Sequence, residues 1–268
     1  MESRDYMSSL LNIENLVGGY TQKNVLHGIS FDVRPNEIGG LIGLNGAGKS
    51  TAIKHVIGLM EPKKGSISIN GKTFQENPET YRKQFSYIPE MPVLYEELTL
   101  YEHLRLTAMA YDIPEDVFEK RMEPLLKEFR LEKKLKWFPV HFSKGMRQKV
   151  LIISSLLHNP DLIFLDEPLS GLDANSVMVI KDMLEALANQ GKTIFYSSHI
   201  MDVVEKISNR IVLLVNGQIA ADGSFDDLKE QSKAGSLESI FNQLTGFDEH
   251  KETAEKIVSI VTGDGQDE

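Results

Sequence analysis

The run Gly43-Leu44-Asn45-Gly46-Ala47-Gly48-Lys49-Ser50 has the spacing of a phosphate cradle, G-x-x-x-x-G-K-[ST]. Its glycines let backbone N–H groups turn inward around phosphate oxygens, and a helix starting at the lysine adds the positive potential of its N-terminus. Lys49 is placed to reach the β- and γ-phosphates of a nucleotide, and the Ser50 hydroxyl to ligate Mg²⁺. Further on, Asp161-Leu162-Ile163-Phe164-Leu165-Asp166-Glu167 reads as a buried strand ending in two adjacent carboxylates. That is the edge at which open α/β sheets bind their ligands. Asp166 suits Mg²⁺, directly or through water, and Glu167 suits polarisation of the water that attacks a γ-phosphate. Alone, an Asp-Glu pair before Pro168 is as often a strand cap; the cradle upstream makes the chemical reading the stronger one. His199 follows another apolar strand, where its imidazole can hydrogen-bond a γ-phosphate and orient water.

These groups need elements to hold them. Residues 38–44 form an apolar run into the glycine-rich turn, and residues 49–60 carry helical spacing, so the cradle joins a strand to a helix. A first strand is expected at residues 11–17 after a mobile, unpatterned start at 1–10. A hairpin is expected at 66–74, turning at Asn70-Gly71, followed by a strand at 85–88. From 101 to 158 the pattern is helical, with residues 115–129 amphipathic and a helix at 144–158 that Ser143 can N-cap. Strands return at 162–165, 193–197 and 211–215, separated by helices at 175–189 and 201–207. That alternation predicts an α/β fold with a parallel sheet, interrupted by a helical subdomain at about 89–159. Residues 233–268 are expected to be a helical, acidic extension of the 11–232 domain.

The 268 residues are 41% hydrophobic, enough for a large core, and carry 29 basic against 39 acidic side chains, a net charge of -10. This excludes a surface built to neutralise nucleic acid, so no nucleic-acid partner is expected. With no cysteine, disulfides and thiolate metal sites are excluded. No apolar stretch approaches the roughly 18 to 20 residues of a membrane-spanning helix. Lys133, Lys134, Lys136, Lys144, Arg147 and Lys149 read as a solvated basic face.

Taken together, GLNGAGKST at 43–51, FSKGMRQK at 142–149, LIFLDEP at 162–168, SGLD at 170–173 and SSH at 197–199 resemble the ABC ATPase superfamily. The resemblance covers about residues 11–228 and implies a P-loop fold with an antiparallel β subdomain and an inserted helical subdomain. It implies ATP and Mg²⁺ sandwiched between two such subunits, identical or not, the cradle of one (through Thr51) facing Ser143, Gly145 and Met146 of the other, with Asp173 also at the nucleotide. Ser143 then has two readings, a helix N-cap alone or one whose hydroxyl also meets the partner's nucleotide. Tyr20 matches the family's adenine-stacking aromatic, or is ordinary packing. A stacking role asks only for a ring.

At two places the chain departs from the family pattern. Its L-S-G-G-Q is here Phe142-Ser143-Lys144-Gly145-Met146, as in the variant of ABC-2-type exporters, and its glutamine after the 85–88 strand is Glu90. Glu90 can still ligate Mg²⁺ but adds negative charge beside a triphosphate. Residues 87–99 and 136–139 are similar to Ecs-type exporter ATPases. The resemblance therefore implies the ATP-hydrolysing subunit of an exporter, lying in the cytoplasm on the inner face of the cell membrane against a separate multi-span permease. The alternative is a soluble non-transport ABC ATPase.

Overall fold

The computed structural model describes residues 9–20, 22–169, 172–232, 235–245 and 250–262. Three consecutive parallel strands organise it: β3 (Ile38–Ile42), β8 (Thr193–Ser198) and β7 (Leu162–Asp166), every residue of which is buried. Such near-continuous apolar strands are what a sheet covered on both faces requires. With β6 (Phe85–Ile88), β9 (Arg210–Val215) and β10 (Gln218–Gly223) they form a six-stranded sheet in the order β10-β9-β3-β8-β7-β6. All pairings are parallel except that of β10 with β9.

A second sheet, in the order β2-β1-β4-β5, is antiparallel: β1 (Leu11–Gly18), β2 (Leu26–Val33), β4 (Lys64–Ile69) and β5 (Lys72–Thr73). The β4–β5 hairpin turns at Asn70 and Gly71 with φ of 50° and 71°, the two positive values a tight primed turn needs. One core joins this sheet to the parallel one, with Phe31 of β2 stacked on Phe195 of β8 at 5.4 Å between ring centres. The cradle helix α1 (Lys49–Val56) lies in that core through Ala52, Ile53 and Val56. It stops short of the expected 49–60 because Gly58 takes a left-handed φ of 72°, and its N–H bonds back to His55 O at 3.1 Å.

A short helix α2 (Pro78–Arg82) leads to β6, after which α3 (Leu100–Ala110), α4 (Glu115–Glu128) and α5 (Lys144–Leu157) pack around their own core of Leu104, Phe118, Met122 and Ile153. On the far face of the parallel sheet lie α6 (Ala174–Asn189), α7 (Met201–Ile207), α8 (Phe225–Ser232) and α9 (Leu237–Thr245). Then comes α10 (His250–Thr262). Two boundaries differ from expectation. Ser9 and Leu10, assigned to the mobile start, are tied down, with Leu10 N–H donating to Val33 O at 2.8 Å and Ser9 Oγ to Asp32 at 2.8 Å. Helix α9, assigned to the extension, buries Leu237, Ile240 and Phe241 against α7 and takes its N-terminal partner from Glu205, which accepts from Leu237 N–H at 3.1 Å. Residues 1–8, Ser170 and Gly171 of the SGLD motif, and the acidic residues Asp248, Glu249, Asp264, Asp267 and Glu268 lie outside the described residues.

His158 caps the end of α5 and stacks on Tyr111 at 3.7 Å between ring centres. Burial pushes its imidazole down from 6.5 to about 4, with the nearby charges of Arg121 and Lys192 acting in the same direction. Between those two values the unfolded chain binds the extra proton, so this contribution to stability is complete above pH 6.5 and is lost as pH falls toward 4. Replacing His158 with Gln should therefore flatten the fall in urea midpoint between pH 7 and pH 4.5, measured by circular dichroism on both proteins.

Candidate functional site

Parallel pairing decides what meets at the sheet edge. Asp166 stands opposite Ser197, and Ile42 opposite Ser198, so the cradle after β3, the carboxylates at the end of β7 and the histidine after β8 converge. Gly43 must be glycine for lack of room, because a Cβ there would lie 2.4 Å from Leu214 O. The cradle folds back on itself through Ala47 N–H donating to Leu44 O at 3.0 Å, and is anchored to the β9–β10 turn by Gly217 N–H donating to Ala47 O at 3.0 Å. Lys49, 6% exposed, donates to Gly43 O at 2.8 Å and lies 3.7 Å from Glu167 Oε1. It braces the loop and pairs with a carboxylate at once.

Glu167 takes a left-handed φ of 48°, a conformation that costs a non-glycine residue free energy and tends to be retained where function needs it. That backbone turn leaves its carboxylate between two cationic or polar partners. Oε1 faces Lys49, and Oε2 receives His199 Nδ1 at 2.7 Å and His199 N–H at 3.3 Å. With the Oε2 carboxylate oxygen as acceptor, Nδ1 carries the ring proton, leaving Nε2 directed elsewhere. Asp166, 3% exposed, accepts from Ser50 Oγ at 3.1 Å and from Ser197 Oγ at 2.6 Å.

A cavity of about 430 Å³ opens beside these groups, walled by Leu44, Asn45, Gly46, Gly48, Lys49, Ser50 and Thr51 on the cradle side and by Tyr20, Glu90, Glu167 and His199 around it. Asp166 lies beneath Ser50. Serine and carboxylate oxygens are the hard donors Mg²⁺ takes, so Ser50, Asp166 and Glu90 fit it. Among the described residues no group of three or more His, Asp or Glu side chains could hold a metal by itself. A cation here must complete its shell from phosphate and water, as Mg²⁺ commonly does.

Likeness to known proteins gives the family of the chain. The family model described as "ABC transporter" matches residues 26–170, just over half of the chain. The chain belongs to the ABC transporter family, on its ATP-binding side. It is 52% identical over 242 residues to the ABC-type transporter ATP-binding protein EcsA of Bacillus subtilis, covering 90% of this chain and 98% of that protein. It is 32% identical over 219 residues to Nod factor export ATP-binding protein I of Ralstonia nicotianae, 82% of this chain and 68% of that one. A solved ATP-binding subunit of an ABC transporter superposes with a TM-score of 0.84 at 50% identity, covering 88% of this chain and 99% of that chain. The protein is thus an ABC transporter ATP-binding subunit and an ATPase.

Within one ABC subunit the predicted site divides in two. Ser143, Gly145, Met146 and Asp173 do not line the cavity. Ser143 N-caps α5, its Oγ accepting from Met146 N–H at 3.2 Å, and Asp173 N-caps α6, accepting from Ser176 N–H at 3.0 Å. Gly145 lies within reach of Leu172, since a Cβ on it would sit 3.7 Å from Leu172 Cδ2. The signature and the residue before Asp173 therefore form a neighbouring surface of their own.

Ser197, noted in the sequence only as part of the SSH motif, was given no role of its own. Its hydroxyl donates to Asp166 and accepts from Glu167 N–H at 3.0 Å, so one buried oxygen ties both carboxylate residues together. The available signal was its position two residues before His199, on the strand that must lie beside β7. Ser197→Ala should lower stability by about 1–3 kcal/mol, the cost of leaving buried polar groups unpaired, and should also lower ATPase turnover. Urea titration and phosphate release on the same preparation would check both.

Proposed function

We propose that Glu167 activates the attacking water in this ABC ATPase, that His199 and Lys49 hold that carboxylate in place, and that Ser50, Asp166 and Glu90 bind the Mg²⁺ of MgATP. The observation that carries the reading is the continuous contact from Lys49 to Glu167 to His199 at the mouth of the cradle. Glu167 is buried, 8% exposed, and its two oxygens are already occupied from opposite sides, so the base is preorganised and little side-chain freedom remains to be lost. Mg²⁺, when bound, neutralises phosphate charge. Lys49 adds a second positive charge at the β- and γ-phosphates, and His199, whose Nδ1–H is given to Glu167, keeps its Nε2 as an acceptor for water. Tyr20, half exposed at the cavity wall, stacks on the base.

In this reading Ser143, Gly145, Met146 and Asp173 act on the nucleotide of a second ATPase subunit, identical or related, because their surface lies apart from the subunit's own cavity. Closure of the two subunits on ATP is passed to a separate multi-span membrane protein, and the direction is export. No helix among the described residues is long and apolar enough to cross a membrane, so the transport path is carried by that partner. The likeness to a Nod factor export subunit and the S-K-G-M signature support export.

Glu167→Gln should lower turnover by roughly 10²–10⁴ while leaving ATP binding intact, as removal of a general base does. Undiminished steady-state phosphate release by that variant, beside an active parent, removes Glu167 from the role. Purification from detergent-solubilised native membranes should recover a multi-span protein with the ATPase, identified by mass spectrometry. Recovery from the soluble fraction alone, without such a partner, overturns the transport reading and leaves the ATPase standing.

A further inference from the structure

The phosphate and base ends of the cavity come from different sheets, yet one helix touches both. Helix α1 begins at the cradle lysine and ends with Lys54, His55 and Val56. Lys54 Nζ donates to the Tyr20 hydroxyl at 3.0 Å and lies 5.4 Å from the centre of its ring. The ammonium beside it holds the Tyr20 phenol below its ordinary value. A ring needed only for stacking would have no use for that bond.

His55 holds the other end of the same segment. It is 3% exposed, and its Nδ1 donates to Thr51 O, one turn back, at 2.8 Å. A carbonyl can only accept, so Nδ1 carries the proton and Nε2 is the unprotonated nitrogen. Nε2 is buried with no hydrogen-bond partner among the described residues and abuts Gly18, where a Cβ would stand 2.1 Å from it. An unpaired buried acceptor is costly, and an apolar side chain would fill the same space without that cost. What the imidazole supplies is a flat, fixed surface under the last residue of β1. From Gly18 the chain makes a loop, closed by Val25 N–H donating to Gly18 O at 2.8 Å, and Tyr20 is on that loop.

We propose that Lys54 and His55 are positioning residues for nucleobase recognition: the helix that presents the cradle to the triphosphate also sets the height of Gly18 and the plane of Tyr20, so that base and phosphates are gripped in one fixed spacing. This rests on the reading of Tyr20 as the base platform. Neither residue touches the triphosphate region of the cavity, and neither acts on the reacting atoms.

The test separates the base from the phosphates. Binding of ATP and of inorganic tripolyphosphate is measured by titration calorimetry for the parent, Tyr20→Ala, Tyr20→Phe, Lys54→Met, Lys54→Arg and the Tyr20→Phe/Lys54→Met pair. Tyr20→Ala should weaken ATP about tenfold or more, through loss of stacking. Tyr20→Phe and Lys54→Met should each weaken it about threefold to tenfold, and the pair no more than either alone, because both remove one hydrogen bond. Lys54→Arg, which keeps a donor, should recover most of the loss. Tripolyphosphate affinity should stay within about twofold throughout, which a general disturbance of α1 would not allow. Gly18→Ala, which pushes on His55, should repeat the pattern of Lys54→Met. If Tyr20→Ala weakens ATP while Lys54→Met and Gly18→Ala leave it unchanged, the positioning role is overturned and the platform stands. If Tyr20→Ala itself is silent, the platform reading falls and this proposal with it. Equal losses for ATP and tripolyphosphate also overturn it, since the helix would then be serving the cradle alone.

Discussion

The pairing of β3, β8 and β7 in one parallel register is the constraint on which the rest depends. It places Asp166 across from Ser197, so that a single hydroxyl on β8 satisfies the Asp166 carboxylate at the end of β7 and the backbone N–H of Glu167, the residue that follows. A slip of one residue would turn the apolar set of a strand toward the wrong face and move Ser197 away from Asp166 together. The apolar side chains that fix the register, among them Ile163, Phe164 and Leu165 of β7 and Ile194, Phe195 and Tyr196 of β8, thereby fix Asp166, Glu167 and His199 as well. Packing and chemistry are specified by the same residues.

That arrangement also governs charge. Asp166, Glu167 and Lys49 are all buried in a chain whose net charge is -10, and bringing such groups out of water is unfavourable unless each finds partners. Asp166 is held by two hydroxyls, Glu167 by an ammonium and an imidazole, and Lys49 by the cradle carbonyls. The negative surface elsewhere is irrelevant to a site whose potential is set within a few ångströms. Glu90 is the exception: it is exposed at the cavity wall and brings a negative charge where the family pattern has an amide.

The elements carrying chemistry were legible in the sequence because each announces itself locally. A glycine-rich cradle must follow a strand and open a helix, and apolar runs of parallel strands are continuous. Ser143 as the cap of α5 and the helix at 201–207 were readable for the same reason. Strand β2 was not. Its pairing with β1 shifts register between Ile13 and Leu16 and again before Val17, which breaks the alternation by which a two-sided strand is recognised. Strand β10, at the edge, buries too little to carry an apolar pattern. The length of α1 was overestimated because apolar spacing continues past Val56 while Gly58 reverses the backbone. Nor could spacing reveal that the hydroxyl of Tyr20 has a partner in Lys54, since that contact joins a loop after β1 to helix α1, 34 residues on.

The two sheets must hold a constant relation for the proposed base platform on one to serve a cradle on the other. The aromatic stack of Phe31 on Phe195 supplies the apolar half of that joint. Arg210 supplies the polar half. From β9 it reaches Asp222 on β10 through Nε at 2.7 Å and Nη2 at 2.9 Å, and on β2 it reaches Asp32 through Nη2 at 3.1 Å and the Asp32 carbonyl through Nη1 at 2.8 Å. Burial acts to raise the Asp32 carboxyl, but the guanidinium and the Ser9 hydroxyl outweigh it and hold the group below its ordinary value. A guanidinium can bridge two strands in this way because its donors form a planar fork, which an ammonium at the same place could not reproduce. Asp32 pairs across from Asn12, at the end of the β1–β2 hairpin away from the loop of Tyr20, so this cluster ties that hairpin to the parallel sheet at one end while helix α1 meets it at the other. The proposed nucleotide site thus depends on the joint between two sheets as much as on the cradle itself.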